Sequence, residues 1–216
     1  LLLDQGLVFD KHINSIVQSS YQLLGFLKRN TKHFSYNTIA FLFNSYVRPK
    51  LEYASVVWSQ STADSRRSID SVQHRFLRYL SFKKHKIFPP ITTRTSEFLF
   101  EFNITRLSDR RQIAQIIFIQ KLVSGLIDCP KLLELLNFNV PMLRFRNGTT
   151  RPPFFVPVAR TFHHWHSPIF SALASWNEKS SSLDLDFSLP STKIKKMMIK
   201  FFQNSYKEAI SFADPS

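Results

Sequence analysis

Glycine and cysteine are scarce in this chain. Four glycines occur in 216 residues, Gly6, Gly25, Gly125 and Gly148. None stands at GxGxxG or GxxxxGK[ST] spacing from another, which excludes the backbone cradles that hold dinucleotides and nucleoside triphosphates. The single cysteine, Cys129, permits neither an internal disulfide nor a cysteine-based zinc cluster and fits a reducing compartment. Set before Pro130 after an apolar run, it reads as a small hydrophobe, not a thiol nucleophile. No GxSxG elbow is present, so a hydrolase reading has no support. No apolar stretch approaches the ~20 residues of a membrane span, and the opening residues lack the pattern of a signal peptide. The expected protein is soluble and intracellular, in nucleus or cytoplasm, with no membrane partner. The opening Leu1-Leu2-Leu3, without an initiating Met, leads us to expect a fragment of a longer protein.

Acids are also few. Against 29 Lys and Arg there are 15 Asp and Glu, a formal net charge of +14. At 44% hydrophobic and 14% aromatic, the chain has too much apolar material for a disordered basic tail and should fold. The cations are not spread evenly. Between Arg66 and Arg94 eight Lys/Arg meet a single acid, Asp70, so half of the net charge lies in this short segment.

The apolar pattern predicts a mainly α protein. Ile13, Ile16, Val17, Ser20, Leu24 and Leu27 recur at helical spacing and end at basic Lys28 and Arg29, which marks an amphipathic helix from Lys11 to Arg29. Asn37 is a candidate cap for a second helix carrying Ile39, Leu42, Phe43 and Tyr46. Pro49 favours the first turn of a new segment reaching Trp58 at an angle to the second helix. After the capping stretch Ser61 to Asp64, a helix places Ile69, Val72, Phe76 and Leu80 on one face and Arg67, His74, Arg75 and Arg78 on the other. Phe88-Pro89-Pro90 ends it in a loop. Thr105 to Ser124 is apolar nearly all round and reads as a central helix. A short helix over Lys131 to Leu136 and a basic amphipathic tail from Ser191 to Ala213 complete the set. A short strand and turn are expected near the N-terminus, and an irregular or short-β segment near 140–170, where prolines are dense. The division this suggests is 1–10, 11–88 and 89–216.

A basic face on an amphipathic helix suits phosphate backbones, and it equally describes a solvated helix surface. With no RNP motif, KH loop or zinc finger, the expected contact is with backbone and shape, not base edges. His163, His164 and His166 form a candidate metal cluster but lack a Cys or carboxylate to complete a tetrahedral site. Asp184 and Asp186 alternate as on one side of an extended segment and read as solvated surface. The 22 Phe read as core, while Trp58, Trp165 and Trp176 adjoin polar residues and are candidates for stacking on a base or partner.

Tyr46 to Ser59, YVRPKLEYASVVWS, resembles the LVRPxLEYxSxVWxP block downstream of the polymerase core in jockey-like non-LTR retrotransposon reverse transcriptases. Asp4 to Asp10 resembles that family's DLGVxFD turn, followed here too by a His-Ile pair, His12 and Ile13, and by LGFxxR at Leu24 to Arg29. Ile69 to Arg78 resembles its IExVQxRFxR helix, Leu107 to Arg111 its LxxRR, Lys121 to Pro130 its KLxxGxIDxP and Asn137 to Pro141 its xFxVP. Order and spacing follow the family across nearly the whole chain.

The resemblance implies the end of a palm at the primer-grip-like turn, a helical thumb-like bundle over 11–88, and a C-terminal extension. It implies a piece of an RNA-directed DNA polymerase whose thumb helices hold an RNA or RNA/DNA duplex by its phosphates. The residues assigned to that contact are Arg67, Arg75, Arg78, Lys83, Lys84, Lys86, Arg110 and Arg111. Catalysis in the family uses palm aspartates that bind Mg2+ in a Phe/Tyr-x-Asp-Asp turn. This sequence contains no Asp-Asp pair, so no catalytic residue and no cofactor are assigned to it. A missing palm is a candidate partner. The alternatives are a non-enzymatic helical interaction module whose apolar faces dock on another protein, and a transposon remnant without function; an isolated thumb that has lost its palm would expose the faces around Ile13, Leu24 and Leu42 and self-associate.

Overall fold

The amphipathic run that starts at Asp10 folds as α1 (Asp10–Asn30), with His12, Ile13, Ser20, Leu24 and Leu27 buried and Lys28 and Arg29 in its last turn. The computed structural model describes residues 1–2, 8–59, 62–139, 152–158, 161 and 167–211. Over these the chain is mainly α-helical, and no strand occurs among them. The expected N-terminal turn, most of the 140–170 segment, the histidines 163, 164 and 166 and Trp165 lie outside the described residues.

Two compact units divide the chain, Leu1–Arg111 with Phe201–Ser216, and Gln112–Lys200. The division therefore does not fall at Phe88-Pro89-Pro90. α6 (Thr95–Glu101) and the first residues of α7 (Leu107–Val123) belong to the first unit.

In the first unit α1 lies beside α5 (Ala63–His85). Asp10 accepts from Thr62 and Ser65, Tyr21 bonds Ser71 at 2.6 Å, Lys28 lies over the Tyr79 ring, and Lys83 donates to the Lys32 carbonyl. Partner numbers rise together along both helices, so the two run parallel. At the start of the pair Thr62 caps α5 by accepting from Ser65 N, a contact typically worth about 1 kcal/mol. The Asp10 carboxylate there faces two helix N-termini, where the backbone dipoles favour negative charge.

Between these helices in sequence, α2 (Tyr36–Leu42), a π-helical turn (Phe43–Val47) and α3 (Arg48–Glu52) follow one another without a break. Ser35, not Asn37, caps α2. Pro49 opens α3, as expected. It lies in the first turn of α3, and the π turn before it absorbs the hydrogen bond that proline cannot make. Ala54, in a left-handed backbone (φ 53°), separates α3 from α4 (Ser55–Trp58). Phe43 stacks on Phe76 at 3.8 Å between ring centres, joining the π turn to α5 in a core that includes Val47, Leu51, Ile69, Leu77 and Leu80.

The start of α7 shows how buried backbone polar groups are satisfied. Gln73, buried on α5, accepts from Leu107 N at 2.9 Å and donates to the Thr105 carbonyl at 3.0 Å. Tyr206 Oη accepts from Arg106 N at 3.0 Å and donates to Asp109. Both donors at the helix start are thus paired by side chains distant in sequence. Tyr206 belongs to the helix over Ser191–Ser211, labelled α10 below.

The second unit is built on α7, buried through Ile113, Ile116, Ile119 and Leu122, as the all-round apolar sequence predicts. α8 (Pro130–Leu133) is short. α9 (Pro168–Leu183) buries Ile169, Ala172, Leu173 and Trp176, and α10 (Ser191–Ser211) begins here with Ile194 and Met198 buried. In the described part of the proline-rich segment, Phe138 and Phe154 form an isolated antiparallel bridge. The Asn177 amide pairs with both backbone groups of Phe154, at 3.1 and 2.8 Å, and so acts as one more rung.

Candidate nucleic-acid interface

The parallel pairing of α1 and α5 brings two helix C-termini to one end of the first unit. Lys28 and Arg29 close α1, Lys83, Lys84 and His85 close α5, and Lys32 and Lys86 follow directly. Two C-termini together carry about one unit of negative dipole charge, and Glu101 adds one carboxylate. Six Lys and Arg therefore leave a surplus of about four positive charges there. The Lys28 ammonium is held below its ordinary pKa, first by burial and then by repulsion from Arg75. His74 is lowered likewise, by burial and by Arg78.

The eight sequence-assigned cations meet different fates. Arg67 is exposed and makes only an i,i+3 pair with Asp64 at 3.3 Å, also exposed, worth a few tenths of a kcal/mol at most. Arg75 is exposed, its guanidinium 4.8 Å from the Tyr21 ring centre. Lys86 is exposed beyond the end of α5 in a left-handed backbone (φ 64°). Arg78 spends both terminal nitrogens on the Pro90 and Pro89 carbonyls, at 2.8 and 2.9 Å. Lys84 pairs with Glu101 at 2.7 Å and faces the rings of Phe102 and Tyr36. Lys83 is anchored on Lys32 O.

Arg110 is half-buried and Arg111 buried. Arg110 forms a two-point pair with Glu52, its side chain 16% exposed. The Arg111 side chain is 4% exposed, with one guanidinium nitrogen on Asp70 at 3.3 Å and Nη1 without a partner among the described residues. Burial lowers the Arg111 pKa, against the pull of Asp70. Arg111 is thus buried, and Arg110 is half-buried in an ion pair with Glu52. Lys28, Arg29 and Lys32, which sequence reading did not assign, stand at the same end as Lys83 and Lys86, and Lys28 is close enough to Arg75 to be repelled by it. Their signal was the basic close of the first helix, but the parallel packing that brings it to α5 is tertiary.

Other candidates change their place. Trp58 is buried, donating to Tyr53 O at 2.9 Å and edge-on to His12. Trp176 is buried and stacked on Phe187 at 4.5 Å. Both are core residues and cannot stack on a base. Asp184 and Asp186 do not alternate along an extended segment: Asp184 takes a left-handed backbone at the end of α9, and Asp186 accepts from Ser188 N and Oγ. Both are exposed, as expected. Ile13 and Leu24 are buried within the first unit and Leu42 is half-buried, so those faces are not open to a partner. Among the described residues, no three His, Cys, Asp or Glu side chains gather to hold a metal ion, and no helix is long and apolar enough to cross a membrane. Comparison with protein-family models, curated proteins and solved structures returns no significant match.

Proposed function

We propose that the chain is the thumb-like and C-terminal part of a non-LTR retrotransposon reverse transcriptase, and that its own role is to hold an RNA or RNA–DNA duplex by the phosphate backbone. The motif order from Asp4 to Pro141 supports the lineage. The observation that carries the role is the joined C-terminal end of α1 and α5, where cations from two segments exceed what the helix dipoles and Glu101 neutralise. Nucleotide transfer is not assigned to these residues, since the sequence has no Asp-Asp pair; the catalytic aspartates and their Mg2+ belong to a palm outside this sequence. The chain acts in nucleus or cytoplasm, wherever that template is copied.

The test is fluorescence anisotropy of the full 216-residue chain with a labelled RNA–DNA hybrid across a salt series. Each phosphate contact releases about 0.7–0.9 of a counterion, so four contacts give a log–log slope of about −3. Replacing Lys28, Lys32 and Lys86 together by Gln should bring the slope to about −1. A wild-type affinity indifferent to salt would rule the role out.

A protein-interaction role has one observation in its favour. Phe41, Tyr46, Tyr53 and Val57 are exposed along α2 to α4, a face of the kind that docks on another domain. Sedimentation velocity tests self-association through that face: a stable monomer throughout the micromolar range argues against it.

A further inference from the structure

We propose that the loop joining α5 to α6, residues 86–94, is a pre-formed apolar wedge that enters a groove of the bound duplex and partly unstacks one base step. This deepens the duplex-holding role proposed above and rests on it. Three features of the loop carry the inference.

The loop is built, not slack. Lys86 N bonds the Phe82 carbonyl at 2.8 Å, Phe88 stacks on Phe82 at 4.1 Å, and Arg78 grips the carbonyls of Pro89 and Pro90. A turn closes it, Thr93 N to Pro90 O at 3.2 Å, and the two prolines fix their own φ angles. Arg78 is thus a positioning residue, its two terminal nitrogens holding the loop.

The shape so fixed holds two isoleucines in water. Ile87 is 74% exposed and Ile91 90% exposed. A rigid loop that displays large β-branched side chains forgoes their burial, which is recovered only when something covers them.

The flanks are cationic. Lys86 and Arg94 stand at the two ends of the loop, exposed and without an ion pair among the described residues. An apolar tip between two cations complements a groove walled by phosphates and floored by stacked bases, the arrangement in which Ile and similar residues unstack a base step. The loop leaves α5 at the end where the cations of α1 and α5 gather, so wedge and cations address one ligand. Arg and Lys set the salt-dependent part of the affinity, and Ile87 and Ile91 add a part that salt does not screen.

The test uses the full chain and an RNA–DNA hybrid carrying 2-aminopurine at successive positions, with Ile87→Ser/Ile91→Ser as the variant. Both side chains are exposed, so the variant should keep the wild-type circular dichroism and melting temperature. Wild type should raise 2-aminopurine fluorescence at one step, and the variant should bind about 10-fold more weakly, without that rise and with an unchanged salt slope. Equal affinity of the two proteins, with no fluorescence change, overturns the wedge and leaves the duplex-holding role standing. If wild type does not bind the hybrid at all, that role falls and the wedge with it. Binding to phosphatidylserine vesicles that depends on both isoleucines, in the absence of hybrid binding, would assign the loop to a lipid surface and overturn the proposal.

Discussion

Lys86 sits where the backbone favours glycine. Its φ of 64° costs an L-residue roughly 1–2 kcal/mol, and relief of that strain outweighs the added chain entropy of glycine. Lys86→Gly should therefore stabilise the fold by about 0.5–1 kcal/mol and yet weaken duplex binding, lowering the salt slope by about 0.7–0.9. Ala54→Gly, at a left-handed position without charge (φ 53°), should stabilise by a similar amount and leave binding alone. Urea melts and a salt series on the two variants separate charge from strain; equal binding by both would remove Lys86 from the interface. Glu101 makes a different prediction. Burial alone would raise its pKa, but hydrogen bonds and charge from Lys84 and His85 outweigh this and hold it below its ordinary 4.5. A lowered carboxylate pKa stabilises the fold above the unfolded value, and that contribution is lost as pH falls through the folded one. Stability should thus drop below about pH 4.5, and Glu101→Gln should flatten that part of the pH profile in thermal melts. Which cations stay exposed was only partly legible, because charge and face were readable but partners were not. Arg67 and Arg75 stand outward as the helical period requires, whereas Arg111 is covered because α7 is buried nearly all round.

Helices with a long, regular apolar stripe were readable, and their ends lay within a few residues of prediction. α1 and α5 each bury one repeating set, and α7 is buried nearly all round as its all-round apolar sequence requires, so period and burial agree. α6 escaped notice because seven residues with adjacent Phe98 and Leu99 show no period. α9 followed the proline-dense stretch and was lost in it, although Pro168 at its first turn is a start signal. The π turn before Pro49 left no mark in the pattern, since it changes hydrogen-bond register and not residue type. The parallel contact of α1 and α5 was not legible either: the sequence gives faces, and direction comes from which faces meet. Asp10 tests that contact. Its carboxylate accepts from Thr62 and Ser65 at the N-terminal end of the pair, so Asp10→Ala should cost about 1–2 kcal/mol through lost hydrogen bonds and lost dipole compensation. Chemical denaturation checks it. A change below about 0.3 kcal/mol would mean that the Asp10 contacts do not hold the pair together.

The first unit is completed by the far end of the chain, since Phe201–Ser216 belong to it although about ninety residues of the second unit intervene. Composition and period marked Ser191 to Ala213 as an amphipathic helix but could not say that its two halves serve different cores. Ile194 and Met198 are buried in the second unit, Phe202 and Tyr206 in the first. In the first unit Tyr206 closes the backbone of Arg106 and bonds Asp109, while Gln203 reaches Asn103. Burial and the charge of Asp109 both push the Tyr206 hydroxyl pKa upward, so it stays a proton donor at all ordinary pH. A chain ending at Lys200 loses the burial of Phe202, worth roughly 1.5–3 kcal/mol, and leaves Arg106 N without its partner, about 1 kcal/mol more. With Trp165 and Trp176 replaced by Phe, the emission of Trp58 reports the first unit alone. Its urea midpoint should fall in the shortened chain by an amount equivalent to roughly 3 kcal/mol, and Tyr206→Phe in the full-length chain should reproduce about a third of that loss. An unchanged midpoint in both would show that the first unit closes without the C-terminal helix, and would make residues 1–111 the smallest piece to carry into the duplex-binding assays.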